Sequence, residues 1–313
     1  MSPRGGARSA GPTRRDGMAK SLVIALFLGV WVHSGCSGRV GPRPRGEGRT
    51  ATIGVRGSDT MLGLVERWAE RYMDENPGVA VEVSGGGSGT GIAALVNGTV
   101  DVACASRPLA ASERTALRAR RGADARETPV ALDAVAVYVH ARNSVRTLTL
   151  AQLARIYRGD HTRWSELGGA DLPIVPYGRE NSSGTYAFFK ERVLGRLDFA
   201  PETQSLPGTA AVLQAVGRDP KGIGYGGLGH GAGVAPLSLR LREGAPGVSP
   251  DPAAALGAPY PLARPLTMIT TDAAPPAVAA FVAWVRSAEG QRLVRAQGFQ
   301  PLPPAPTTEV PRP

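Results

Sequence analysis

The chain has 313 residues, 42% of them apolar and 20% charged, which suits a soluble globular protein with a sizeable core. Its net charge of +10 raises the question of nucleic-acid binding. However, the basic residues are almost all Arg, scattered along the chain, and no basic run is interleaved with aromatics, so a nucleic-acid partner is not expected.

Residues 22–32 (LVIALFLGVWV) form an apolar run too short to span a bilayer but suited to a signal-peptide core. Lys20 precedes the run, and Ser34, Gly35 and Cys36 follow it. That order is similar to a bacterial lipoprotein signal, which implies that residues 1–35 are removed and Cys36 is lipidated. Met18 offers a more conventional start than Met1. Residues 36–50 are rich in Gly, Pro and Arg with no apolar period, as in a flexible tether. The other cysteine, Cys104, lies in an apolar strand and reads as a small buried hydrophobe. Two Cys and four scattered His make no metal-ligand spacing, so neither a metal nor another cofactor is expected.

From residue 51 the pattern alternates strand and helix, the mark of an α/β fold. Residues 51–55 (ATIGV) predict a strand, followed by the loop Gly57-Ser58-Asp59-Thr60. Met61, Leu64, Val65, Trp68, Ala69 and Tyr72 then recur at helical spacing, and the helix ends near Asn76-Pro77. The design repeats at once. Residues 79–83 (VAVEV) are a strand, 85–91 (GGGSGTG) a loop, and a short helix follows, closed by Gly98. It recurs where residues 173–176 (PIVP) run into 179–185 (RENSSGT) and a helix carrying Tyr186, Phe189, Val193 and Leu194.

Each loop sets Gly and hydroxyl residues at a helix start, where backbone N–H groups are unpaired and the helix dipole is positive. Such an end is suited to anions. Three of them, one with Arg179 four residues before Ser183, together offer N–H donors, hydroxyls and a guanidinium to a small tetrahedral oxyanion. Other readings of these loops fail on detail. A P-loop needs a Lys that GGGSGTGI lacks. A nucleophile elbow needs G-x-S-x-G, and the final Gly is absent around Ser88. A serine hydrolase built on Ser88 or Ser183 would also need a base, and no His or Lys stands in these loops.

These motifs continue in an ordered series: 57–61 (GSDTM), 85–92 (GGGSGTGI), 101–109 (DVACASRPL), 133–139 (DAVAVYV) and 148–169 (LTLAQLARIYRGDHTRWSELGG). The series ends with 179–185 (RENSSGT), 222–227 (GIGYGG) and 288–302 (AEGQRLVRAQGFQPL). In this order, over about residues 52–302, the chain resembles the PstS family, the phosphate-binding proteins of phosphate ABC importers. The resemblance implies a two-lobed periplasmic-binding-protein fold of type II with ligand in the inter-lobe cleft. Lobe 1 would hold about 51–139 and 259–302, and lobe 2 about 140–258. It also implies a monomeric, non-enzymatic receptor outside the cytoplasm, working with a membrane permease. The family's phosphate ligands carry over to Thr60 and Met61 (through backbone N–H), Ser88, Arg179, Ser183, Gly184 and Thr185. Many family members place an Asp after the second helix to accept the proton of phosphate, whereas this chain has Ser106-Arg107. Further candidates are therefore Asp59, Ser106 and Arg107. Asp59 could accept that proton or cap the helix that follows it. Arg107 could add a second cation or pair with a surface acid.

Another oxyanion such as sulfate or molybdate, and a sensor role, are the alternatives the sequence leaves open. Tyr157 and Trp164 read as packing residues. Phe281, Trp284, Val285 and Ala288 predict a helical core face that continues through residues 290–293. The Pro-rich residues 303–313 read as a disordered tail.

Overall fold

The computed structural model describes residues 51–228, 232–250 and 260–303. The expected leader, Cys36, the tether and residues 304–313 lie outside these.

Along strand β1 (Ala51–Gly57) the alternation turns Ile53 and Val55 inward. Helix α1 (Leu62–Glu75) lays Leu64, Val65, Trp68 and Tyr72 on one face. Trp68 satisfies its indole N–H on the Gly290 carbonyl at 2.9 Å, so its ring enters the core without a lost hydrogen bond. Strand β2 (Val79–Ser84) and helix α2 (Ser88–Asn97) repeat the unit, and Gly98 ends α2 in the left-handed conformation. Strand β3 (Val102–Ala105), helix α3 (Ala111–Arg121) and strand β4 (Ala125–Ala134) follow. The first sheet has the order β2-β1-β3-β12-β4, where β12 (Ala263–Thr271) returns from the end of the chain and runs antiparallel between β3 and β4.

Strand β5 (Ala136–His140) starts the second lobe only two residues after β4 ends, so the chain changes sheets at Val135. The second sheet has the order β10-β5-β9-β7-β8, built from β7 (Val175–Arg179), β8 (Gln204–Leu206), β9 (Gly222–Gly226) and β10 (Val234–Pro236). Helices α4 (Leu150–Tyr157), α5 (Gly184–Leu194) and α6 (Gly208–Arg218) belong to this lobe, and β6 (Thr147–Thr149) and β11 (Ser238–Arg240) make a two-stranded ribbon. The two crossings between lobes are tied together: Val135 N–H donates to the Leu262 carbonyl, and the Tyr260 hydroxyl donates to the Val135 carbonyl, both at 2.9 Å.

Each lobe has its own core. In the first, Ile53, Trp68, Val102, Met268 and Phe281 pack together, and in the second Leu153, Tyr157, Trp164, Phe189 and Tyr225 do so. Burying each such side chain is worth roughly 1.5–3 kcal/mol. Tyr157 and Trp164 are thus core residues, as their spacing predicts. The C-terminal face differs from expectation. It is split into α7 (Pro276–Val285) and α8 (Ala288–Ala296), because Ser287 leaves the helix and its Oγ accepts from Gly290 N–H to start the next one. Cys104 is buried, and burial pushes its thiol up to about 12. Among the described residues no helix is long and apolar enough to cross a membrane, and no cluster of His, Cys, Asp or Glu could hold a metal ion.

Candidate functional site: the seam between the lobes

In an open α/β sheet, ligand sites form beyond the carboxyl ends of the parallel strands. Here β1, β2 and β3 end on the loops 58–61, 85–87 and 106–110, and β7 and β9 end on 180–183 and 227–228. All are part of one seam, where the lobes touch directly. The Thr60 and Thr185 hydroxyls lie 3.2 Å apart. Gly89 N–H donates to the Ser182 carbonyl at 3.0 Å. Asp59 of the first lobe pairs with Arg179 of the second at 3.2 Å.

Helix ends supply the donors. Gly87, at φ 90°, turns the chain into α2, so that helix begins at Ser88, earlier than its apolar pattern alone suggests. A Cβ on Gly87 would also stand 2.5 Å from the Ser182 carbonyl oxygen of the opposite lobe. Ser88 is buried, and its Oγ accepts Ser106 N–H at 3.1 Å and lies 3.4 Å from Ser106 Oγ, which itself accepts from Ser58 Oγ at 3.0 Å. Ser183 caps α5, accepting Thr185 and Tyr186 N–H. Gly184 is pressed against the first lobe, where a Cβ would meet Ser88 Oγ at 2.2 Å and Ser106 Oγ at 2.6 Å.

Of the residues named from sequence, Thr60, Ser88, Ser106, Arg179, Ser183, Gly184, Thr185 and Asp59 come together along this seam. Met61 is placed differently: its side chain is buried in the first core, and its N–H closes a turn on the Ser58 carbonyl at 2.9 Å. Asp59 does not cap α1 with its side chain. Its Oδ1 accepts Gly86 N–H at 2.8 Å and its Oδ2 accepts from Arg179. Arg107 stands apart from the cluster, forked onto Glu113 at 2.6 and 2.8 Å, the acid that starts α3. Of its two sequence readings, the geometry thus matches the pairing.

Arg179 is buried at the end of β7. It donates to Glu180 through Nε and Nη2, to Asp59 through Nη2, and to Thr209 Oγ1 through Nη1 at 3.3 Å. Burial pushes the Glu180 carboxyl up, but hydrogen bonds from Arg179 and nearby backbone N–H groups outweigh it and hold the group below its usual range.

Sequence reading misses a second guanidinium. Arg264 on β12 is register partner to Asp133 on β4. It donates to Asp133 Oδ2 through Nε (3.0 Å) and Nη2 (2.8 Å), and to the Ser106 carbonyl through Nη1 at 2.9 Å. Its Nη2 also donates to Thr60 Oγ1 at 3.3 Å and Thr185 Oγ1 at 3.0 Å, one hydroxyl from each lobe. The Phe188 ring lies 5.4 Å from its guanidinium carbon. Burial pulls the Arg264 pKa down from the usual range, and the Asp133 carboxylate opposes that pull.

Two α/β lobes, joined by paired crossings and meeting through donor-rich strand ends, define a periplasmic-type solute-binding protein. Residues 43–289 match the PBP superfamily domain. Within that superfamily the chain belongs to the PstS family. The phosphate-binding protein PstS of Pseudomonas aeruginosa is 34% identical over 276 residues, covering 83% of this chain and 85% of the relative. A Clostridium perfringens protein crystallised with bound phosphate has a TM-score of 0.73 at 28% identity, covering 80% of this chain and 100% of that one. An ABC-type phosphate transport receptor from Vibrio cholerae has a TM-score of 0.67 at 27% identity, with the same coverage of both chains.

Proposed function

We propose that this chain is an extracytoplasmic receptor that captures inorganic phosphate and presents it to the membrane permease of an ABC importer. The observation that carries the reading is convergence: hydroxyls of Thr60, Ser88 and Thr185, the start of α5 and the Arg179 guanidinium meet at one inter-lobe seam. Preorganised donors and a buried guanidinium suit a small dianion, and closure removes it from water. The receptor is monomeric, held at the membrane by lipid on Cys36, and does no catalysis. Ser88 Oγ contacts Ser106 and Ser183 Oγ caps α5, so both hydroxyls are engaged in holding the seam. The mass of the mature N-terminal peptide reads the acylation directly.

Calorimetry with phosphate, sulfate and molybdate tests the reading. Phosphate is expected to bind most tightly, and a protein that prefers sulfate or molybdate would belong to another transport system. Closure itself has a sharp test in Gly184. A methyl group there cannot share space with Ser88 and Ser106 in the closed seam. Overpacking of this kind costs about 1–3 kcal/mol, so Gly184→Ala is expected to weaken phosphate binding roughly tenfold or more with each lobe still folded. Unchanged affinity would mean that the bound state does not use this contact.

A further inference from the structure

We propose that Asp59 is a positioning residue that acts across the seam. Held in place on the first lobe, it fixes the Arg179 guanidinium of the second lobe once the lobes close, and so sets how long a captured anion stays bound. The inference rests on the phosphate reading above.

Of the ion pairs among the described residues, Asp59 with Arg179 alone joins the two lobes, at 3.2 Å. The other side chains on that guanidinium, Glu180 and Thr209, belong to its own lobe. Arg179 therefore keeps those partners whether the lobes are apart or together. Asp59 is the partner that closure adds.

The first lobe sets Asp59 for this contact in advance. Its Oδ1 accepts Gly86 N–H at 2.8 Å, which leaves Oδ2 directed at Arg179 Nη2. The approach needs the bare backbone of Gly85, where a Cβ would stand 2.8 Å from Asp59 Oδ1. Asp59 follows β1, and Gly85 and Gly86 follow β2, the parallel strand beside it, so this arrangement does not wait for the second lobe. A side chain oriented beforehand loses little freedom when it pairs. The pair is also sheltered, with side-chain exposures of 1% for Arg179 and 23% for Asp59, so salt screens it less than a surface ion pair.

The consequence is kinetic. The anion enters while the lobes are apart, before Asp59 reaches Arg179, so capture does not use the pair. Release requires the lobes to part, and that step breaks it. The effect thus falls on the dissociation rate, where differences between related complexes mostly lie. Repulsion acts in the opposite sense: a carboxylate that merely stood near a dianion would hasten its departure, and removing it would slow release. The sign of the change therefore separates the two roles.

Capture and release of radiolabelled phosphate, followed by rapid mixing and filtration, test this in the native protein, Asp59→Asn and Asp59→Ala, with folding checked by thermal melting. Asparagine keeps an oxygen for Gly86 N–H but lacks the carboxylate for Arg179. Both variants are expected to release phosphate about tenfold faster than the native protein, the loss of one charge-assisted hydrogen bond. Their capture rates are expected to stay within about twofold of native. Native release from Asp59→Asn, with only Asp59→Ala faster, would mean that the residue serves the 85–87 loop, and the proposal falls. Slower release from Asp59→Asn overturns it as well, as does slower capture with release unchanged. In each of these cases phosphate binding itself stands. A native protein that binds no phosphate overturns the reading beneath as well as this assignment.

Discussion

Replacing Arg179 with alanine is expected to lower phosphate affinity at least about a hundredfold while the protein remains folded. Hydrogen bonds to a charged group contribute about 1.5–3 kcal/mol each, and roughly 1.4 kcal/mol is a factor of ten in affinity. Two such bonds from one guanidinium to a dianion account for the loss. A second effect acts in the same direction. Arg179 is the cation shared by Asp59 and Glu180, and without it two carboxylates face the incoming anion. Arg179→Lys is expected to recover only part of the affinity, because a point charge cannot hold the planar fork that now serves Asp59, Glu180 and Thr209 together. Calorimetric titration of both variants reads the difference. An Arg179→Ala protein with native phosphate affinity would remove this residue from the site.

The glycine- and hydroxyl-rich loops at the helix starts were legible because their physics is local. A strand, then Gly with Ser or Thr, then an apolar helical face, names a helix start wherever it occurs, and Thr60, Ser88 and residues 183–185 carry that signal within a few residues each. Asp133 and Arg264 carry none. Both sit in strands that read as apolar runs, DAVAVYV and ARPLTMITT, 131 positions apart in the chain. They meet only because β12 inserts antiparallel between β3 and β4 in a register that makes them cross-strand partners. Nothing local specifies that insertion. Asp59 was misleading for the converse reason. An Asp before a helix reads as a cap, yet the turn at Ser58 satisfies Met61 N–H from the backbone, which leaves the Asp59 side chain to hold Gly86 and Arg179 across the seam. Arg107 was readable in both senses until α3 brought Glu113 against it.

Arg264→Met is expected to be among the most destabilising single changes in the protein, at about 3–5 kcal/mol. The magnitude comes from what is left behind. Arg264 and Asp133 have side-chain exposures of 1% and 0%, so removing the cation strands a carboxylate in the core of the first lobe and frees the Ser106 carbonyl as well. For a domain of this size such a loss lowers the melting temperature by roughly 10 °C, measurable by thermal or urea unfolding. A change below about 1 kcal/mol would mean that the pair is hydrated and screened like a surface ion pair. The double variant Asp133→Leu with Arg264→Met removes both charges, and buried pairs replaced by apolar groups commonly cost little. It is therefore expected to regain much of the lost stability. Its binding should not recover with it, because the hydroxyls of Thr60 and Thr185 lose the guanidinium that joins them. A double variant that regained both stability and phosphate binding would reduce the Asp133–Arg264 pair to a structural strut between β4 and β12.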